Sequence, residues 1–312
     1  NMKNIIIVLI SFALVSCASS HIPDLQSMDD LEYQFPTQKI TLSNNTTVAS
    51  VEQDSGDQTL IFIHGLGSYL PAWNKNIPEL AKHYRTIAID LPGYGKSSKG
   101  NFEFSMTYYA QVVKEFAEKK GLDNIVLVGH SMGGQIALTA ALQYPDLVEK
   151  LVLIAPAGFE TFNKGQRSWF ANVMTPDAVR FTPVNQIRTN LAYNFYNMPE
   201  DAEFMYTDRV AMRKAEGFDG YSYAVSRSVK GMVDQPIYDF LSKIKQPTLA
   251  IFGANDNLIP NRFLNAGRTE KYARDGISKM PNGKLIMLEK TGHFAQFESA
   301  EAVNSHIVDF LK

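Results

Sequence analysis

The sequence predicts an α/β fold, a mostly parallel sheet flanked by helices and interrupted by a mainly helical insertion, on three observations. Short apolar runs at 59–63, 86–89, 125–128, 151–154, 248–252 and 285–288 recur along the chain, and runs apolar at every position are the pattern of strands covered on both faces. Between them lie helical spacings: Tyr109, Val112, Val113 and Phe116 follow the N-cap candidate Ser105, and Ile136, Ala137 and Ala140 follow Gly134. Strand alternating with helix implies parallel pairing. The alternation stops between 159 and 246, where Phe162, Trp169, Phe170, Phe181, Tyr193, Phe195, Tyr196, Phe204 and Tyr206 gather without strand signals. A structureless loop of that length does not suit a compact domain, so the stretch is predicted to be a helical cap over the strand ends, where α/β sheets bind ligands.

Taken in order, residues 1–16 read as a signal peptide and 17–38, with Pro23 and Pro36 and no clean period, as a tether. Residues 39–42 and 47–53, joined by Ser43-Asn44-Asn45-Thr46, read as a β-hairpin whose asparagines tolerate left-handed turn geometry. The sheet core is predicted over 39–158 and 247–312, with the cap at 159–246. It closes on an amphipathic helix carrying Ala302, Val303, Ile307 and Phe310.

A chain of 312 residues, 45% hydrophobic and 20% charged, is long enough for one large domain with an insertion and too apolar for disorder. Its formal net charge of -2 lacks the cationic excess that phosphate-backbone binding needs, which excludes nucleic acid as an expected partner. A single cysteine excludes an internal disulfide.

The chemistry concentrates in Gly129-His130-Ser131-Met132-Gly133-Gly134, a G-x-S-x-G run directly after a strand and before a helix. A strand turning abruptly into a helix forces Ser131 into strained backbone geometry, and side chains two residues to either side, at Gly129 and Gly133, would collide. A serine hydroxyl is a weak nucleophile at neutral pH and needs a base. His293, in Lys290-Thr291-Gly292-His293 past the last strand, lies in a strand-end loop where such residues sit, whereas His64, His130, His306, His83 and His21 read as structural. Asp256, in Phe252-Gly253-Ala254-Asn255-Asp256, completes the chain order Ser, Asp, His and would orient the imidazole; Glu160 is the reserve acid. An oxyanion needs donors after the nucleophile and after an early strand, which selects the backbone N–H groups of Met132 and Leu66, with Gly65 allowing close approach. The scheme needs neither metal nor cofactor.

The runs Ile63-His64-Gly65-Leu66-Gly67, Asp90-Leu91-Pro92-Gly93-Tyr94-Gly95-Lys96-Ser97, 129–134, 253–260 and Gly292-His293 together resemble the α/β-hydrolase superfamily, in its lidded esterase and lipase-like branch, from about residue 39 to the end. The resemblance implies a small-molecule ester as substrate. Haloalkane dehalogenases and epoxide hydrolases are similar but use aspartate where Ser131 stands. Proline iminopeptidases and many carbon–carbon bond hydrolases carry Gly-Gly-Pro or Gly-Pro-Gly after the His-Gly step, where this chain has Leu66-Gly67-Ser68. Thioester, amide, perhydrolase or carbon–carbon chemistry on the same triad stays open, as does a catalytically silent binding protein, although no triad member is missing.

The N-terminus carries an address. Met2-Lys3 is followed by an apolar stretch from Ile5 to Val15, too short to span a bilayer, and then by Leu14-Val15-Ser16-Cys17, which resembles the lipobox of bacterial lipoproteins. That resemblance implies a diacylglyceryl group on Cys17, membrane attachment, and a place in the bacterial cell envelope. Ala18, not being aspartate, leans the expectation towards the outer membrane.

Overall fold

Strands β1 (Gln38–Thr41), β2 (Thr47–Gln53), β3 (Thr59–Ile63), β4 (Arg85–Ile89), β5 (Ile125–His130), β6 (Val148–Ile154), β7 (Thr248–Gly253) and β8 (Gly283–Leu288) form one sheet in the order β1-β2-β4-β3-β5-β6-β7-β8. This is a computed structural model, and it describes residues 21–53 and 56–312. The signal expected at 1–16 and Cys17 lie outside the described residues. The helices are α1 (Ile77–Leu80), α2 (Met106–Lys119), α3 (Met132–Gln143), α4 (Lys164–Val173), α5 (Pro176–Arg180), α6 (Val184–Ala192), α7 (Glu203–Ala211), α8 (Phe218–Asp234), α9 (Thr269–Ser278), α10 (Ala295–Glu298) and α11 (Ala300–Leu311). Among the described residues, no helix is long and apolar enough to cross a membrane.

From β4 to β8 every pairing is parallel, while β1 with β2 and β2 with β4 are antiparallel, so the predicted hairpin forms the sheet's antiparallel edge. Because side chains alternate across a strand, each run feeds two cores. Ile61, Ile63, Ile87, Leu127, Leu151 and Phe252 face α2 and α3, whose Val113, Phe116, Ile136 and Ala140 complete that layer. Leu60, Phe62, Val126, Val128, Val152 and Ile251 face Ile77 and Leu80 of α1 and Val303 and Ile307 of α11. Burying a side chain of this size contributes about 1.5–3 kcal/mol over leaving it exposed, so the sheet is the stable frame on which the strand-end loops rest. The Ser105 hydroxyl accepts from Tyr108 N–H at 3.0 Å and caps α2 as its position predicts.

Two expectations need correction. The run at 285–288 belongs to β8, which is half-exposed because it is the sheet's outer strand and has only β7 as a neighbour. The larger correction concerns the tether at 17–38, because from residue 24 it is docked. Leu25 N–H donates to Ala211 O at 2.9 Å, Glu216 N–H to Gln26 O at 2.7 Å, and Met28 and Leu31 are each only 2% exposed. Ser27 and Asp30 close a capping box, and the Tyr33 hydroxyl reaches Asp90 Oδ2 at 2.6 Å. Two or three apolar side chains spaced irregularly suffice to dock an extended segment, yet they leave no period to read.

Residues 159–246 contain α4 to α8 and no strand. Helix α8 buries Tyr221, Ala224, Val225, Ser228 and Val229 on one face, whereas α4 buries none of its side chains.

Candidate active site

Ser131 stands between β5 and α3 with φ 52° and ψ -118°, a backbone conformation that costs a non-glycine residue about 1–3 kcal/mol and persists only when its surroundings impose it. They do so through hydrogen bonds on both sides. Ser131 N–H donates to Ile154 O at 2.9 Å, and Ser131 O accepts from Gly134 N–H at 2.9 Å and Ala157 N–H at 3.0 Å. The flanking glycines answer to space. A Cβ on Gly129 would lie 2.3 Å from Gly133 O, and one on Gly133 would lie 2.2 Å from Ile63 O. At Gly65 the added carbon would sit 3.1 Å from Ser131 Cβ, so the loop after β3 packs directly against the serine turn.

Asp256 and His293 come from the ends of β7 and β8, and those ends are tied together. Ala254 N–H donates to Leu288 O at 2.8 Å and Asn255 N–H to Thr291 O at 3.0 Å. The result is a bond of 2.7 Å between His293 Nδ1 and Asp256 Oδ2, with both residues almost fully buried. The other carboxylate oxygen, Oδ1, accepts from Leu258 N–H at 2.7 Å and Ile259 N–H at 3.0 Å, so the acid cannot swing away. With Nδ1–H given to the carboxylate, His293 Nε2 is left as the ring's free nitrogen. Ser131 and His293 lie on the wall of the same cavity, of 260 Å³, together with Gly65 and Leu66. Among the described residues no hydrogen bond joins the Ser131 hydroxyl to His293 Nε2, and catalytic hydrogen bonds often tighten only when a substrate is present.

Among the described residues, neither Leu66 N–H nor Met132 N–H is engaged in a hydrogen bond. Met132 opens α3, whose first-turn donors have no partner within the helix and carry the positive end of its dipole. His64 holds the other side. Leu91 N–H donates to its Nε2 at 3.0 Å, so Nδ1 carries the proton and donates to Gly65 O at 2.8 Å, fixing the peptide that precedes Leu66. Burial lowers the pKa of His64, which keeps the ring in this neutral form. His130 is also structural: its Nε2 donates to His293 O at 2.9 Å, and burial, followed by the neighbouring His293, drives its pKa well below the usual histidine value.

Glu160 does not join the imidazole. Its Oε1 accepts from Asn261 N–H at 2.9 Å and from Asn265 Nδ2 at 2.7 Å, so it braces the loop that follows Asp256, and burial raises its pKa. The wall of the Ser131 cavity is mainly apolar, with Phe162, Phe170, Met174, Val229, Met232 and Leu258, contributed largely by the cap, beside the polar Gln135, Thr161, Asn194 and Asn261.

A serine on a strained turn between parallel strand and helix, with an Asp256-bound histidine on the same cavity, agrees with the family match, in which the profile of the alpha/beta hydrolase fold covers residues 58–300. The chain belongs to the α/β-hydrolase family. It is 28% identical over 292 residues to the uncharacterized hydrolase YugF of Bacillus subtilis, covering 90% of this chain and 100% of that one. It is 30% identical over 270 residues to a 2-hydroxy-6-oxononadienedioate/2-hydroxy-6-oxononatrienedioate hydrolase of Burkholderia vietnamiensis, covering 83% of this chain and 88% of the relative. Among solved structures, a probable hydrolytic enzyme of Pseudomonas aeruginosa superposes with a TM-score of 0.82 at 23% identity, over 93% of this chain and 99% of that one. A membrane phospholipase A, described as a bacterial virulence factor, does so with a TM-score of 0.71 at 26% identity, over 88% and 85%.

Some residues that shape this hydrolase's site carry no sequence signal. Glu298, on α10, accepts from Gly292 N–H at 2.7 Å and also from the cap's Tyr196 N–H at 3.1 Å and Asn197 N–H at 2.7 Å. One carboxylate therefore joins the His293 loop to the cap. Asp90, in the Asp-Leu-Pro-Gly run, accepts from Leu70 N–H at 2.7 Å, Lys96 N–H at 2.9 Å and the Tyr33 hydroxyl, which orders the loops beside Leu66. The run's position after β4 marks Asp90; nothing in sequence marks Glu298 or Tyr33.

Proposed function

We propose that the protein is a serine hydrolase that cleaves carboxylic esters through an acyl-enzyme intermediate. Ser131 Oγ attacks the ester carbonyl carbon as His293 Nε2 takes its proton, and the resulting oxyanion is held by the N–H groups of Leu66 and Met132. The carbon–oxygen bond to the alcohol then breaks, and His293 returns the proton to the leaving oxygen. Water attacks the acyl carbon with His293 again as base, and the free acid departs as Ser131 regains its proton. Asp256 orients His293 and stabilises its charged form. The observation that supports this most is the 2.7 Å His293–Asp256 bond on a cavity shared with Ser131 and two unengaged backbone donors. The apolar wall of that cavity supports a substrate with an apolar moiety, as does the similarity to a membrane phospholipase A. Turnover of short p-nitrophenyl esters tests the reading, which fails if Ser131→Ala leaves the rate unchanged.

A carbon–carbon bond hydrolase is the second reading, favoured by the 30% identity to an enzyme named for a dienedioate substrate. The cavity speaks against it: its wall contains Glu160 and, among the described residues, no lysine or arginine to meet a dicarboxylate. A panel pairing neutral esters with a dienedioate substrate separates the two.

The lipobox-like run supports a further proposal, that Cys17 is lipidated and holds the enzyme in the bacterial envelope, at the outer membrane. Cys17→Ala is expected to release the protein from membranes, and persistent membrane association contradicts the assignment.

A further inference from the structure

A second, larger cavity of 680 Å³ adjoins the one that holds Ser131. Leu66, Met174, Asn194 and Phe294 belong to both walls, so the two chambers are neighbours across these four residues, which include the predicted oxyanion donor Leu66. Its apolar wall includes Ile187, Met205 and Met212 from the cap, and also Met28 and Leu31 from the N-terminal segment that docks from residue 24. We infer that Met28 and Leu31 are substrate-contacting residues: the segment 24–33 walls a second substrate chamber, which receives an extended apolar group on one side of the scissile bond.

The proposal rests on the Ser131 reading for the position of that bond, and the segment's attachments argue for it independently. It is held at one end to the cap, through Leu25 N–H to Ala211 O and Lys214 Nζ to Asp24 Oδ2 at 2.8 Å. At the other end it is held to the core, through the Tyr33 hydroxyl on Asp90 and Lys96 Nζ at 4.7 Å over the Tyr33 ring. A segment fixed at both ends holds Met28 and Leu31, each 2% exposed, as a rigid part of the wall at little further entropic cost on binding, which is the condition for a selective wall. The chamber is not purely apolar. Asp208, whose Oδ2 accepts from the Tyr69 hydroxyl at 2.6 Å, and Arg209 also line it, so the fitting group is an apolar chain that ends in a polar one. The substrate class is an amphiphilic ester with bulk on both sides of its carbonyl.

Two ester series test this, one lengthening the acid and one the alcohol. Wild type is expected to favour length in both, and Leu31→Trp, which fills the large chamber, is expected to lower the long-to-short ratio of kcat/KM about tenfold in one series only. Unchanged ratios in both series overturn the proposal. Leu31→Ala, which enlarges the chamber, serves if the tryptophan variant does not fold, and is expected to move the preferred length upwards in one series only. Failure of the Ser131 reading shows differently, as no ester turnover by wild type. In that event calorimetric binding of a long-chain monoalkyl glyceryl ether decides: affinity about tenfold weaker for Leu31→Trp supports the chamber, and equal affinity or no binding to wild type contradicts it.

Discussion

The serine turn and the cap are built on opposite principles. Around Ser131 the backbone has no slack: Gly129 and Gly133 pack against carbonyl oxygens at distances that admit no side chain, and the strands beneath are fully buried. The cap is committed to the core unevenly. Helix α8 buries one face in the main core and Phe195 packs on Phe294 beside the histidine loop, but the outer part is loose: α4 buries no side chain and Phe181 is 65% exposed. The difference separates two tasks. Reacting groups must be held within about an ångström of productive geometry, while a wall that selects by shape needs only volume and apolar surface.

That contrast is sharpened first at the acid. Asp256→Asn leaves the shape of the site but removes the charge beside His293 Nδ1, and is expected to lower kcat about 10⁴-fold in steady-state assays. Next in size, Gly133→Ala sets a methyl 2.2 Å from Ile63 O, and chemical denaturation is expected to show a loss of about 3 kcal/mol. An equal loss from an exposed cap substitution would break the distinction.

The core also predicts a pH dependence. His64 and His130 have folded pKa values held down by burial, so below the ordinary histidine value of about 6.5 the unfolded chain binds protons that the folded one refuses. Stability is complete above that pH and falls as pH drops through it, by about 1.4 kcal/mol per pH unit for each histidine still neutral in the folded state. Glu160, raised by burial, acts in the opposite sense between its ordinary and its raised value. Denaturation midpoints from about pH 7.5 to 5.5 check this. The smallest effect belongs to the cap: Phe181→Ser is expected to change stability by no more than about 0.5 kcal/mol, measured as Tm.

What was legible in the sequence follows the same division. The apolar runs identify the strands because all but the outermost, β8, are buried on both faces, and the G-x-S-x-G run identifies the serine turn because only glycine fits beside it. Asp256 and His293 are legible as strand-end residues in the expected order, and the structure brings them together. The docking of 24–33 was not legible, since Met28, Leu31 and Tyr33 act through contacts with Ala211, Glu216 and Asp90, which are remote in the chain and follow no period. Glu298 was hidden for the same reason, its acceptor role being set by backbone donors from another region. Glu160 has the right residue type after the right kind of strand, but its carboxylate is occupied by Asn261 and Asn265.

The central claim, that Ser131 is the nucleophile activated by the Asp256-bound His293, is tested most directly by labelling the intact protein with a fluorophosphonate and locating the adduct by peptide mass spectrometry. One adduct per chain, on Ser131, lost in Ser131→Ala and strongly slowed in His293→Ala, is the result this account predicts. An unlabelled protein, or an adduct on another residue that survives Ser131→Ala, would contradict it.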